Sequence, residues 1–366
     1  RFLHINPLLK RVNSGGALKK SLKLIAVAAS LTLITGVAVA PSAQAAKIKL
    51  CLALDTGGVD DRSFNEGAWK GAQASTVSTA EYLSAASSAD FAPNIKKFVD
   101  KGCDLIVGVG FAISAEIVKS AKANPKIKYA VVDDAGEDCD ANFNCKPVAN
   151  VKGLTFQTDE AAFMAGYLAA GVSKTGKVAT YGGAPYPTVT IFMDGYARGV
   201  DYYNKQKGKS VKVLGWDPAN PKSGTFVGNF SDQTKALTIS KGFEQQGADV
   251  ILPVGGNLGA PYAAESEKSK KSLTIWVDSD GFGLLTAGKT ILLTTVVKEI
   301  GASIKSVAKD VANKKFNGSK YVGTLKNKGV SIAPYHDQSS RVPGALKLEV
   351  RKIRDAIIAG TLKVSA

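Results

Sequence analysis

Histidine is almost missing from this chain of 366 residues; the two present are His4 and His336. Imidazoles so few and so far apart exclude a histidine-bearing catalytic triad, a histidine metal cluster and an HExxH helix. The four cysteines show no CxxC spacing. No GxxxxGK[ST] phosphate loop occurs. Gly108-Val109-Gly110 begins like a dinucleotide fingerprint, but Ile113 stands where the third glycine belongs. Ser306 and Lys309 spell SxxK in a charged helical stretch without the companion acyl-transfer motifs, which makes it a chance match. The carboxylates offer no specific pair for glycoside hydrolysis. No dense Lys/Arg block is interleaved with aromatics, which argues against a nucleic-acid surface. The sequence points away from an enzyme and asks for no cofactor and no metal.

What is present begins with a targeting signal. Lys19, Lys20 and Lys23 precede an apolar run over 24–40 that ends in small residues. Ala43-Gln44-Ala45 satisfies the small-x-small cleavage rule, so 1–45 reads as an N-terminal extension and secretory signal peptide. Thr32, Thr35 and Gly36 break the run, which disfavours a retained membrane anchor. Residues 1–45 hold six basic and no acidic residues, so cleavage lowers the net charge from +16 to +10. The remainder is spread along the chain as a solvated basic surface. The reading is an exported protein, periplasmic or extracellular and associated with the cell envelope. Export permits disulfides. Cys139 and Cys145 bracket a short loop and are the natural pair. Cys51 and Cys103 either pair, if their strands are neighbours, or are two buried thiols.

Short apolar runs then alternate with helical stretches. Strands are expected over 48–54, 104–110, 128–133 and 151–156, with helices over 64–74, 92–101 and 114–123. After a helix over 159–171 the pattern restarts, with strands over 177–181, 211–216, 249–253 and 273–278 and helices between them. A helix over 294–313, a hairpin over 320–332 and a last helix over 344–359 follow. The class is α/β: two lobes, each a mainly parallel sheet flanked by helices, hinged around a ligand cleft. Lobe 1 takes 46–158 with about 281–319, and lobe 2 takes 159–280 with about 320–366.

Ligands of such sheets bind at the carboxyl ends of the strands. The stretch 50–71 is a strand, a Gly-rich acidic turn and a helix start, which places Asp55, Asp60, Asp61, Ser63, Phe64 and Asn65 at that end. As a bland alternative, the same turn is a helix-capping loop. Further strand ends carry Gly110-Phe111, Asp133-Asp134, Gly182-Gly183, Gly255-Gly256-Asn257 and Asp278-Ser279-Asp280, with Phe192 shortly after one of them. Taken singly, these glycines are turn chemistry and the phenylalanines are core. Taken together, aspartates and aromatics recur at one topological end of two sheets.

The blocks DTGGVDDRSFNEGAWKG, VGVGF, YGGAPYPTVTIFMDGYARG, GNFSDQTKAL, GADVILPVGG, WVDSD and LLTTVVKEIGASI resemble, in order, those of the basic membrane protein family. These are PnrA-like, purine-nucleoside-binding substrate-binding proteins of ABC importers. The resemblance implies a type I periplasmic-binding fold whose lobes close on a nucleoside, then deliver it to an importer permease. By that resemblance Phe64 and Phe192, with Phe111, grip the base. Asp61, Asn65 and Asp133 make polar contacts, and Asp278 and Lys298 hold the ribose hydroxyls beside the Gly255-Gly256 backbone. A monomer without nucleic acid suits this role. Three features depart from the family. There is no lipid-attachment signal, the loop over 136–149 carries two cysteines, and the turn at 255–259 is only an approximate version of the family's Gly-rich turn. Rival readings are the same fold binding a free sugar such as ribose, a secreted nucleoside-processing enzyme, and a signalling receptor.

Overall fold

The computed structural model describes residues 47–364 apart from 143. The signal peptide expected over 1–45 lies outside the described residues. The first strand, β1 (Ile48–Leu54), is apolar, and its last five residues are buried. It leads into α1 (Phe64–Gln73), then β2 (Ser78–Leu83), α2 (Phe91–Asp100), β3 (Leu105–Val109), α3 (Ser114–Ala123) and β4 (Lys128–Val132). A small hairpin of β5 (Glu137–Cys139) and β6 (Cys145–Pro147) precedes β7 (Val151–Phe156). The second half runs α4 (Thr158–Val172), β8 (Lys177–Gly182), α5 (Pro187–Lys207), β9 (Lys212–Leu214), α6 (Gln233–Gln245), β10 (Val250–Val254), α7 (Ala260–Ser269), β11 (Leu273–Asp278) and β12 (Leu292–Lys298). It closes with α8 (Ile300–Ala312), β13 (Tyr321–Gly323), β14 (Val330–Ile332) and α9 (Gly344–Ile358).

Two six-stranded sheets result, ordered β13-β7-β4-β3-β1-β2 and β14-β12-β11-β10-β8-β9. The orders match strand for strand, so β4 corresponds to β11 and β3 to β10. Within these two sheets all pairs are parallel except β12 with β14. Parallel strands covered on both faces must be apolar throughout, and β3 and β10 are buried along their whole length. Each sheet with its helices is one lobe. The chain crosses between lobes after β7, after β12 and between β13 and β14. At the third crossing the backbones of Gly323 and Gly329 are so close that a Cβ on Gly329 would stand 2.3 Å from the Gly323 Cα. Among the described residues no helix is long and apolar enough to cross a membrane.

Three expectations are corrected. The helix over 294–313 is instead β12 followed by α8, because Thr294, Thr295, Val296 and Val297 are β-branched and pair with β11. That strand lies in the second sheet, so its part of 281–319 sits with lobe 2. The hairpin over 320–332 is not a hairpin: β13 pairs with β7 and β14 with β12, in different sheets. Strand β2 was not foreseen, since it is a half-exposed edge with a polar sequence. Two disulfides are present, Cys51–Cys103 and Cys139–Cys145. The first ties β1 to the turn entering the neighbouring β3.

Candidate functional site

The turn after β1 is organised by one carboxylate. Asp61 accepts hydrogen bonds from the backbone N–H groups of Ser63 (3.0 Å), Asn65 (2.8 Å) and Glu66 (3.1 Å). It thereby satisfies donors that the first turn of α1 leaves unpaired. The Asn65 amide nitrogen donates to Asp55 Oδ1 (2.7 Å) and to Asp61 Oδ2 (3.1 Å). Two carboxylates therefore fix the amide's orientation. Its Oδ1 is left buried without a hydrogen-bond partner among the described residues. Burial pushes the Asp61 carboxyl up to about 7 against those backbone donors, and raises that of Asp55 as well. Gly110, at the end of β3, has φ +118°, and a Cβ there would meet Asp55 Oδ2 at 2.8 Å. Only glycine lets that turn approach Asp55 so closely.

Lys298 ends β12 and is buried, with 4% of its surface exposed. Its ammonium donates to both oxygens of Asp133, at 3.0 and 2.8 Å, and lies 3.6 Å from Asp278 Oδ1. Burial disfavours the ammonium, but the two carboxylates outweigh it and hold the Lys298 pKa above its ordinary value. Burial pushes the Asp133 carboxyl upward, while the ammonium pulls against it. The bidentate contact favours the ionised pair. Three rings surround the ammonium: the Phe64, Phe192 and Phe156 centroids lie 5.0, 5.2 and 5.7 Å away.

The lobes meet directly beside this cluster. Ser63 Oγ of the first lobe lies 2.7 Å from Asp278 Oδ2 and 2.9 Å from the Val277 carbonyl. Trp276 Nε1 donates to the Arg62 carbonyl (3.1 Å), Ser279 Oγ to the Ser63 carbonyl (3.0 Å) and Arg62 Nη1 to the Leu284 carbonyl (2.9 Å).

Between the lobes is a cavity of about 290 Å³. The structure brings all ten sequence-selected residues to its wall: Asp61, Phe64, Asn65, Phe111, Asp133, Phe192, Gly255, Gly256, Asp278 and Lys298. Asp55 joins them from the same turn, whereas Asp60 is exposed. Asn257, named at its strand end, also lines the cavity, whereas sequence reasoning missed Ser88, Phe91, Tyr186 and Phe230. Tyr186 carried a readable signal, an aromatic just past the Gly182-Gly183 strand end. Phe230 comes from the loop between β9 and α6, where nothing in the local pattern marks a strand end. Chemically, the wall offers apolar ring faces, fixed acceptors and one cation shared between two acids. That set is chemically complementary to a flat ring and adjacent hydroxyls.

A family model described as ABC transporter substrate-binding protein PnrA-like matches residues 48–365. An ABC transporter nucleoside-binding protein of Lactococcus lactis is 28% identical over 87% of this chain and 89% of its own length. Basic membrane protein A1 of Borrelia garinii is 29% identical over 85% of this chain and 86% of its own. Among solved structures, an ABC transporter solute-binding protein from Aeropyrum pernix superposes with a TM-score of 0.73 at 22% identity. It covers 86% of this chain and 92% of that one, a likeness of fold.

Proposed function

The chain belongs to the PnrA-like family of ABC transporter substrate-binding proteins, and on that premise we propose that it captures a nucleoside, preferably a purine, for a membrane importer. One observation carries this reading. The Lys298 ammonium sits between Asp133 and Asp278 and is flanked by Phe64 and Phe192. A vicinal diol needs acceptors beside a donor, and a purine needs ring faces. The cluster supplies both within one nucleoside's reach. The orphan Oδ1 of Asn65 adds an acceptor for a base N–H. Capture must be reversible for delivery, so a dissociation constant of roughly micromolar or below is expected. The protein works outside the cytoplasm as a monomer, and a separate permease receives its ligand.

The test is a pair of variants, Phe64→Ala and Phe192→Ala. A large loss for nucleosides with little loss for ribose supports stacking on a base. Equal losses for both would favour the free-sugar reading. Release of free base from inosine by the purified chain would instead indicate an enzyme.

A further inference from the structure

Two sets of rings are found at the site, and Phe64 and Phe192 of the first set line the cavity. Phe64, Phe156 and Phe192 surround Lys298. A second set, Phe111, Tyr186 and Phe230, also lines the cavity, and Phe111 is 38% exposed. Phe111 belongs to the first lobe, in the turn after β3; Tyr186 and Phe230 belong to the second. The Phe111 and Tyr186 centroids are 5.6 Å apart, and those of Tyr186 and Phe230 are 6.0 Å apart and stacked. We propose that these three rings form an aromatic gate at the cavity mouth, in which the Phe111–Tyr186 contact must break before a ligand leaves.

The second-lobe half of the gate is rigid. Tyr186 stands between Pro185 and Pro187 with φ −81° and ψ 146°, the extended backbone that a following proline enforces. Phe230 is seated on Gly183, where a Cβ would stand 2.4 Å from its ring. Phe111 follows Gly110 on the other lobe, so its ring separates from Tyr186 when the lobes part. The ring contact is made by protein alone, and it favours the closed arrangement whatever the ligand's base. The gate therefore sets residence time. The inference rests on the nucleoside reading only for the choice of probe.

The experiment uses the full mature chain with Phe111→Ala, Tyr186→Ala and the double variant. Stopped-flow release of adenosine is expected to speed up about two- to tenfold in each. The double variant is expected to be no faster than either single, because both remove one contact. Unchanged release, or single effects that multiply, would overturn the gate. Small-angle scattering of the ligand-free chain decides independently: Tyr186→Ala should have a larger radius of gyration than the parent. If the parent binds no nucleoside, the functional reading falls. In that case the scattering alone decides the gate, which falls if Tyr186→Ala is no more open.

Discussion

Asp133 and Asp278 hold equivalent places in the two lobes and turn to the same ammonium. Asp133 follows β4 and Asp278 ends the corresponding β11. Both have left-handed backbones, with φ of 69° and 65°, which non-glycine residues seldom adopt. Aspartate tolerates that region better than most residues, and strain of this kind persists where the surroundings over-determine it. Here Lys298 supplies the surroundings, drawing one carboxylate from each lobe. The lobe contact and the candidate ligand site thus share one charge cluster, at the strand end where the chain crosses between lobes.

Replacing Lys298 by methionine should abolish nucleoside binding in calorimetry. It also leaves two buried carboxylates without their cation. Urea unfolding should show a loss of about 3–5 kcal/mol, the cost of breaking a buried pair from one side. A folded variant of unchanged stability would contradict the pairing.

Asp61 makes stability depend on pH in an unusual direction. Its folded pKa, about 7, lies above the ordinary value of 3.8, so the folded state holds the proton more tightly. That contribution is fully present below about pH 4 and is lost as pH rises through 7. Asp55 and Asp133, also raised by burial, act in the same sense. Urea midpoints of Asp61→Asn across pH 4–8 should therefore fall less steeply than those of the parent. Parallel curves would refute the assignment.

The disulfides should differ in worth. Cys51–Cys103 closes a separation of 52 residues and Cys139–Cys145 one of 6. Loop entropy gives about 4 and about 2 kcal/mol. Paired Cys→Ala replacements compared by urea unfolding should show the larger loss for the first. The reverse order would show that strand packing, rather than loop closure, governs these bonds.

Four carboxylates, Asp55, Asp61, Asp133 and Asp278, line the cavity against one lysine already engaged by two of them. Among the described residues lining it, no cation is left free for a 5′-phosphate, and the ionised acids repel one. Adenosine monophosphate should bind at least about 100-fold more weakly than adenosine, a difference near 2.7 kcal/mol. Comparable affinities would show that the phosphate projects out of the mouth.

Much of this site was legible because its residues sit at strand ends, where apolar runs stop at Gly, Asp or Asn. Asp133, Asp278 and the 61–65 turn are found that way. Lys298 was selected through family resemblance, while local pattern placed it inside a helix. Its strand runs almost unbroken into the apolar face of α8, and only the β-branched cluster of residues 294–297 separates the two. Tyr186 lies just past a readable strand end, whereas Phe230 sits in a loop that no strand end marks. The left-handed backbones of the two aspartates leave no trace in composition or spacing.

The most direct measurement is calorimetric titration of residues 46–366 with adenosine, guanosine, inosine, uridine and ribose. Micromolar or tighter one-to-one binding of purine nucleosides, weak ribose and intact ligand afterwards is the expected result. Tight ribose with no nucleoside signal, or silence with every ligand, would contradict the account.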